Sequence, residues 1–575
     1  MTTTTMAEST TATAPDVPSI QLREYQRQLC DEAGDNRNII VLLPTGAGKT
    51  LVAAEIIRRK FESRTSPDDA SLFALFLVPA TVLVKQQSEA IRKWTQLRVV
   101  EYRGGLALPT KGTFDVIVST PEAFLAATMD HSEMLGWRNV PLVIFDEVHH
   151  VLKKHPYNHI ASHMELHHMR EHQHPDYRPI QVIGLTAMLS YQVDEKKVKT
   201  DVLRIFRTLG IDKVPYISKE HLQRDGFHAG QSVETTITED DPVELDPMMD
   251  ADKCVPLDER KPHLVHGMFI TRLKQNTVTR PVKDLMHLVR WTEKCLNIDP
   301  QESQILNPKL ASWGTFAHKQ AAQYRKKKGD HQTEALYHLL EHLYEALRIV
   351  VLAWEVPKAF EVATQFLVMM IVTNTDMEHS VKFLPKDLVG ELAVFLEKYD
   401  SCPFMQRVVK DILQKLKSTS TLCAVVFVTQ KTTAHVLSYY LNQRHELKAA
   451  QISSRPYHST TTASATNSIQ FTKSVAKEYL NLFRDENSQV KVLVATNVAE
   501  EGMDISAANV VIRFDEIHTA VSFVQGRGRA RQKHSSHVIH AQRPDRSIDC
   551  LKEVEELQAQ LAEQFKPPPR MTSAE

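Results

Sequence analysis

Between residues 22 and 228 the chain alternates short apolar runs with stretches of helical spacing. The runs fall at 39–43, 72–78, 116–119, 142–145 and 181–185, and none contains a charged residue. Such runs, bounded by polar turns, predict strands buried on both faces. Strands separated by helices imply a parallel sheet with right-handed crossovers. Residues 231–260 break this rhythm: Glu239, Asp240, Asp241, Glu244, Asp246, Asp250 and Asp252 cluster with Pro242, Pro247 and Pro256, the composition of a linker. From 262 to 400 the spacing is helical throughout. Leu336, Leu340, Leu343, Leu347, Val350 and Trp354 fall on one stripe, and 360–372 reads as a buried core helix. Strand–helix alternation returns near 405, with strands expected at 424–428, 490–495 and 510–514, and Ser/Thr-rich 453–468 expected to be a loop. A last amphipathic stripe, Ile548, Leu551, Val554, Leu557, Leu561 and Phe565, stops at Pro567-Pro568-Pro569.

The pattern therefore predicts an α/β protein: two parallel-sheet lobes, an all-helical insertion and a C-terminal helix. Boundaries are expected at 1–20 for a disordered tail, 21–228 for lobe 1, 229–404 for linker and insertion, 405–545 for lobe 2, and 546–575 for the final helix and tail. A chain of 575 residues is too long for one core, which agrees. The first twenty residues are Thr/Ala/Ser-rich without Lys or Arg, unlike a secretory or transit signal. No apolar run is long enough to span a bilayer. The six cysteines are scattered without a C-x-x-C pair, which argues against a disulfide framework and against structural zinc, and fits a reducing, cytoplasmic setting. Net charge is -1, so a nucleic-acid site has to be a local groove.

Candidate chemistry begins after the first strand. Pro44, Thr45, Gly46, Ala47, Gly48, Lys49 and Thr50 form a Gly-rich turn leading into helical spacing. Such a turn aims backbone N–H groups at an anion, with a helix N-terminus behind them. Lys49 is positioned to reach the β- and γ-phosphates of ATP, and Thr50 to offer a hydroxyl to Mg²⁺. Leu43 occupies the place of the first Gly in the usual phosphate-loop pattern. The apolar run at 142–145 ends in Asp146 and Glu147. Asp146 suits Mg²⁺, and Glu147 suits orienting and deprotonating the attacking water.

P-T-G-A-G-K-T at 44–50 with D-E-V-H at 146–149 resembles the superfamily 2 helicases, and further motifs follow in order. Leu22 to Gln26 resembles the family's Q-motif, which implies Arg23 and Gln26 in ATP binding, Gln26 at the adenine. Val78 to Gln87 resembles motif Ia, implying nucleic-acid contacts from Thr81, Lys85 and Gln86. Ser119 to Glu122 resembles a strand-binding motif, implying Thr120, Pro121 and Glu122. Gly184 to Ala187 resembles motif III, implying coupling through Thr186 and His149; the Ser or Thr usual after Ala187 is here Met188. Val426 to Thr429 resembles motif IV, implying Thr429 at the strand. Val494 to Ile505 resembles motif V, implying Thr496 and Asn497 on the backbone and Gly502 and Asp504 in coupling. Gln525 to Arg531 resembles motif VI. By Q-x-x-G-R-x-R spacing, Gln525, Arg529 and Arg531 form the arginine-finger element, with Arg527 in reserve; Arg is required because its planar fork stabilises charge on phosphoryl oxygens.

The H-P-Y at 155–157, the E-E-G-x-D-I of motif V and a helical insertion between RecA-like lobes resemble the Dicer and RIG-I-like receptor branch. The final amphipathic helix resembles the start of that branch's pincer. The resemblance implies a double-stranded RNA-binding helicase or translocase whose two lobes close on ATP–Mg²⁺, in RNA interference or antiviral defence. The sequence holds no CARD, RNase III, PAZ or Cys-bearing RNA-end region, so it reads as a bare helicase module, either a stand-alone protein or a fragment, with protein partners as one source of nuclease or signalling domains. Two rivals stand beside it: a DNA-repair helicase sharing the same motifs, and an ATP-gated RNA-binding regulator with little turnover. Nine histidines between His149 and His174, with His159, His163 and His167 at i, i+4 spacing, are expected to form an exposed polar segment rather than a metal site. Arg325 to Lys328 reads as a solvated basic face or as an RNA-backbone contact.

Overall fold

The computed structural model describes residues 21–34, 36–62, 71–104, 112–130, 135–152, 155–190, 192, 194–227, 232–237, 262–275, 278–310, 312–326, 330–352, 357–419, 421–458, 471–496, 508–515 and 535–541, and near the C-terminus 553, 556–558, 560 and 561. The chain divides into two compact units: residues 1–227 with 556–575, and residues 228–555.

In the first unit, six strands form a wholly parallel sheet: β1 (Ile39–Leu42), β2 (Ala74–Leu77), β3 (Val99–Tyr102), β4 (Val116–Ser119), β5 (Leu142–Asp146) and β6 (Gln181–Thr186). Their spatial order is β1-β6-β5-β2-β4-β3. Strands β2, β4, β5 and β6 are buried along their whole length, because helices cover both faces, and this explains the uncharged runs. The helices that matter for the site are α1 (Glu24–Glu32), α2 (Lys49–Glu62) and α3 (Thr81–Thr95). α2 and α3 start just beyond the carboxyl ends of β1 and β2, where ligands bind in sheets of this kind.

The second unit holds another six-stranded parallel sheet, of order β7-β12-β11-β8-β10-β9. Three of these strands match the expected runs: β8 (Ala424–Val428), β10 (Val490–Thr496) and β11 (Val510–Arg513). The other three correct or extend the expectations. β7 (Ser232–Ile237) lies inside the stretch read as linker, and pairs with β12 (Ser536–Ala541) over six residues. β9 (Ser453–Tyr457) opens the stretch read as a loop. Pro456 is tolerated there because β9 is an edge strand with one side of its backbone unpaired.

The insertion is helical, as its spacing predicts. Helix His331–Leu352 buries Leu336, Leu340, Leu343, Leu347 and Val350, while Trp354 lies outside the described residues. Helix Pro357–Thr373 buries Val362, Ala363, Phe366 and Leu367. One continuous apolar core runs from these helices into β8, β10 and β11, so the insertion and the second sheet are packed as one body. Two charged side chains of helix Pro357–Thr373 fasten that junction. Lys358 Nζ donates to the Phe514 and His540 carbonyls at 2.6 Å each, at the ends of β11 and β12. Glu361 accepts from the Phe404 and Met405 N–H groups at 3.0 and 3.1 Å, capping the N-terminus of helix Pro403–Ser418. Among the described residues no helix is long and apolar enough to cross a membrane, and Cys30, Cys295, Cys402 and Cys423 are free thiols.

Candidate active site

The phosphate-loop residues connect β1 to α2. Gly46 and Gly48 have φ of +86° and +88°, conformations that side chains rarely adopt. A Cβ on Gly48 would also stand 2.3 Å from Gln26 Nε2, so this position requires Gly twice over. Gln26 is buried against the loop: its Nε2 donates to the Ala47 carbonyl at 3.0 Å, and its Oε1 accepts from the Arg23 N–H at 3.0 Å. Tyr25 seals the same point, its hydroxyl donating to the Ala47 carbonyl at 2.8 Å. Arg23 itself is exposed and reaches Tyr25 Oη at 3.3 Å. Lys49 Nζ donates to the Leu43 carbonyl at 3.2 Å. The Thr45 hydroxyl is buried with no hydrogen-bond partner, a polar atom in the loop that a phosphate oxygen would satisfy. Pro44 and Thr50 are partly exposed beside it.

Sheet order brings the second element to this loop. β6 lies between β1 and β5, and the Leu43 N–H donates to the Thr186 carbonyl at 3.1 Å. Asp146 closes β5 with its carboxylate buried. Burial, then the neighbouring Glu147 charge, push its pKa up to about 7, while Lys49, the Glu147 N–H and the Gln87 amide pull the other way. A buried acid beside a second acid and a lysine suits a divalent cation, whose charge offsets both costs. Glu147 follows with φ of +50°, a left-handed backbone uncommon outside Gly. The turn leaves its carboxylate 14% exposed and aims it at motif III: Oε2 lies 3.4 Å from His149 Nδ1 and 3.5 Å from the Thr186 hydroxyl. His149 Nδ1 and Thr186 Oγ1 are 2.8 Å apart, both buried. The Thr186 hydroxyl also contacts the Met188 carbonyl at 2.6 Å and accepts from the Met188 N–H at 3.2 Å. The contacts of Met188 with Thr186 are thus made by its backbone.

Matches to known families agree with this geometry. Residues 23–195 match the DEAD/DEAH box helicase model and residues 406–533 the helicase conserved C-terminal domain, together more than half of the chain. The chain belongs to the DEAD/DEAH box helicases. Within them it carries a helicase module of the Dicer and RIG-I-like branch. Endoribonuclease Dicer homolog 1 of Arabidopsis thaliana is 27% identical over 569 residues, which cover 91% of this chain and 28% of the relative. ATP-dependent RNA helicase DHX58 of Mus musculus is 25% identical over 532 residues, covering 89% of this chain and 70% of that one. The chain thus spans little more than a quarter of that Dicer relative. Among solved structures, the helicase domain of Pyrococcus furiosus Hef is similar at 19% identity and a TM-score of 0.46, over 93% of this chain and 98% of that chain. The helicase domains imply ATP, usually with Mg²⁺, and a hydrolase of the ATP-dependent helicase class.

The residues singled out for nucleic acid fall into two groups. Thr81, Lys85 and Glu122 are exposed and Gln86 partly so, with Lys85 beside Glu89 at 3.6 Å. Thr120 and Pro121 are buried, and the Thr120 hydroxyl accepts from the Ala123 N–H at 3.4 Å, at the start of the following helix. In the second unit Thr429 is exposed and its hydroxyl donates to Asp515 at 2.9 Å. Thr496 is buried, with no partner for its hydroxyl among the described residues. Asn497, Gly502, Asp504, Gln525, Arg527, Arg529 and Arg531 lie outside the described residues. Arg325 is engaged internally, with Glu334 at 2.7 Å and Asp376 at 2.9 Å, while Lys327 and Lys328 lie outside the described residues. His159 and His163 are exposed and His167 partly so.

Spacing did not reveal the contacts of three residues. Tyr157 of the H-P-Y tract is buried, and its hydroxyl lies 2.8 Å from the Asp146 carbonyl and 3.1 Å from that of Leu77, tying the tips of β5 and β2 together. Gln87 donates to the Asp146 carboxylate. Gln558, buried in the C-terminal segment, accepts from the Leu189 and Ser190 N–H groups at 2.6 and 3.1 Å, just past motif III in the same compact unit. All are long-range pairings that no local pattern signals.

Proposed function

We propose that this chain is a motor that binds double-stranded RNA and hydrolyses ATP when RNA is bound, as a helicase or translocase. The carrying observation is the Glu147 carboxylate, held by an unusual backbone turn beside Thr186 and His149, one residue from buried Asp146. In this reading the loop N–H groups and Lys49 hold the phosphates, and Thr50 and Asp146 hold Mg²⁺, which when bound neutralises phosphate charge. Glu147 orients the attacking water and takes its proton; Thr186 and His149 fix where Glu147 points. Gln26 and Arg23 serve the nucleotide from the base side. Arg529 and Arg531, with Gln525, supply the cationic fork that stabilises charge developing on the transferred phosphoryl group.

RNA is proposed as the polymer because the relatives above are named as Dicer and as an RNA helicase. Thr81, Lys85, Gln86, Glu122, Thr429, Thr496 and Asn497 are the proposed contacts to sugar and phosphate, which read shape more than sequence. Such a role places the protein in the cytoplasm, working with partners that contribute nuclease or signalling domains. The test is ATP turnover measured with duplex RNA, single-stranded RNA and duplex DNA. Duplex RNA is expected to stimulate most; stimulation by DNA alone overturns the proposal in favour of a DNA-repair helicase.

A further inference from the structure

Asp146 is gripped by Gln87, the last residue of the tract that resembles motif Ia, to which no role has been assigned above. Gln87 lies on α3, and its Nε2 donates to Asp146 Oδ2 at 2.9 Å. Both side chains are more than nine-tenths buried, Gln87 at 7% and Asp146 at 6% exposure. The pairing crosses 59 residues of sequence and joins a helix to the tip of a strand. A buried Gln costs desolvation of both amide ends, so it persists where its hydrogen bond does something an apolar side chain cannot.

Direction matters here. An amide donor aimed at one carboxylate oxygen restricts rotation of the whole group about its last bond. The Asp146 main chain is already fixed by Tyr157, which leaves side-chain rotation as the remaining freedom. Gln87 removes that freedom. A carboxylate set in advance binds a cation without an ordering cost, the general benefit of outer partners to metal ligands. Gln87 also sits six positions after Thr81 on one helix, roughly 9 Å along its axis. Thr81 opens α3 and Lys85 follows one turn later, two residues before Gln87, and both are exposed. The same rigid element thus carries proposed RNA contacts at one end and the Asp146 partner further along.

We infer that Gln87 is a positioning residue that orients the Asp146 carboxylate for the cation accompanying ATP, and that α3 thereby joins the proposed RNA contacts Thr81 and Lys85 to that cation. This rests on the ATPase reading above. The variant of choice is Gln87→Met, which keeps length and apolar bulk but has no donor. Gln87→Glu, similar in shape, sets a second acceptor against Asp146.

The experiment titrates a fluorescent non-hydrolysable ATP analogue into the full chain, in EDTA and across a Mg²⁺ series. Thermal melting shows that each variant is folded. Wild type is expected to bind more tightly as Mg²⁺ rises. Gln87→Met is expected to match wild type in EDTA and to need about tenfold or more extra Mg²⁺ for half of the gain, in the range seen when outer partners of metal ligands are removed. Gln87→Glu is expected to need more still. If wild type binds no nucleotide, the ATPase reading falls and this inference with it. If wild type shows the Mg²⁺-dependent gain and Gln87→Met shows the same midpoint, the Gln87 inference falls alone.

Discussion

The Nδ1 of His149 lies 2.8 Å from the hydroxyl of Thr186, and both reach toward the Glu147 carboxylate. Strand order makes this possible, since β6 runs beside β5 and ends level with it. Thr186→Val keeps the shape of the side chain and removes the hydroxyl. Nucleotide affinity is expected to stay within about twofold, while kcat falls by roughly 10- to 100-fold, as for a group acting on the placement of a general base. Steady-state kinetics beside a nucleotide titration checks the split. A loss confined to binding would mean that the hydroxyl does not serve Glu147.

Tyr157→Phe removes the hydroxyl that ties the Asp146 and Leu77 carbonyls. The ring packs edge-on against Phe145, with centroids 5.1 Å apart, and that contact is retained. The two carbonyls lose the one hydroxyl proton they share, so the variant is expected to lose about 1–2 kcal/mol of stability. Denaturant unfolding of the full chain, followed in the transition of the first unit, measures it.

Glu361 yields a pH dependence. Burial pushes its pKa up to about 7, against the opposing pull of two backbone N–H groups and the Lys358 and Arg407 charges. The folded state therefore holds a proton between about 4.5 and 7 that the unfolded chain has released. A raised carboxyl of this kind adds stability at low pH, and the contribution fades as pH rises through that window. Relative to Glu361→Gln, wild type is expected to lose up to roughly 3 kcal/mol between pH 4.5 and pH 8. Unfolding at both pH values gives the difference directly; a difference that does not vary with pH would show that Glu361 does not titrate there.

The apolar runs were enough to place β2, β4, β5 and β6 in the first sheet and β8, β10 and β11 in the second, because strands covered on both faces must be apolar throughout. β7 and β12 escaped notice for a physical reason. Their sequences, Ser-Val-Glu-Thr-Thr-Ile and Ser-His-Val-Ile-His-Ala, carry polar side chains, and in β12 the buried His540 finds its partner in Asp411 at 2.6 Å. Burial there is made tolerable by a contact from 129 positions away, which local spacing cannot show. The same holds at the site. Lys49, Asp146 and Glu147 were legible because the chemistry demands those types just beyond apolar strands, and Thr186 because Gly184 to Ala187 resembles motif III. The contacts of Gln87 and Tyr157, though both lie in tracts singled out by resemblance, and those of Gln558 were not, since each reaches a partner outside its own tract.

The most direct measurement is ATP turnover by wild type and Glu147→Gln, each with and without duplex RNA. Gln keeps the shape and cannot take a proton. Wild type is expected to be stimulated by duplex RNA, and Glu147→Gln to bind ATP and RNA while losing turnover by about three orders of magnitude or more. Equal turnover in the two proteins would contradict the role assigned to Glu147 and the motor built around it.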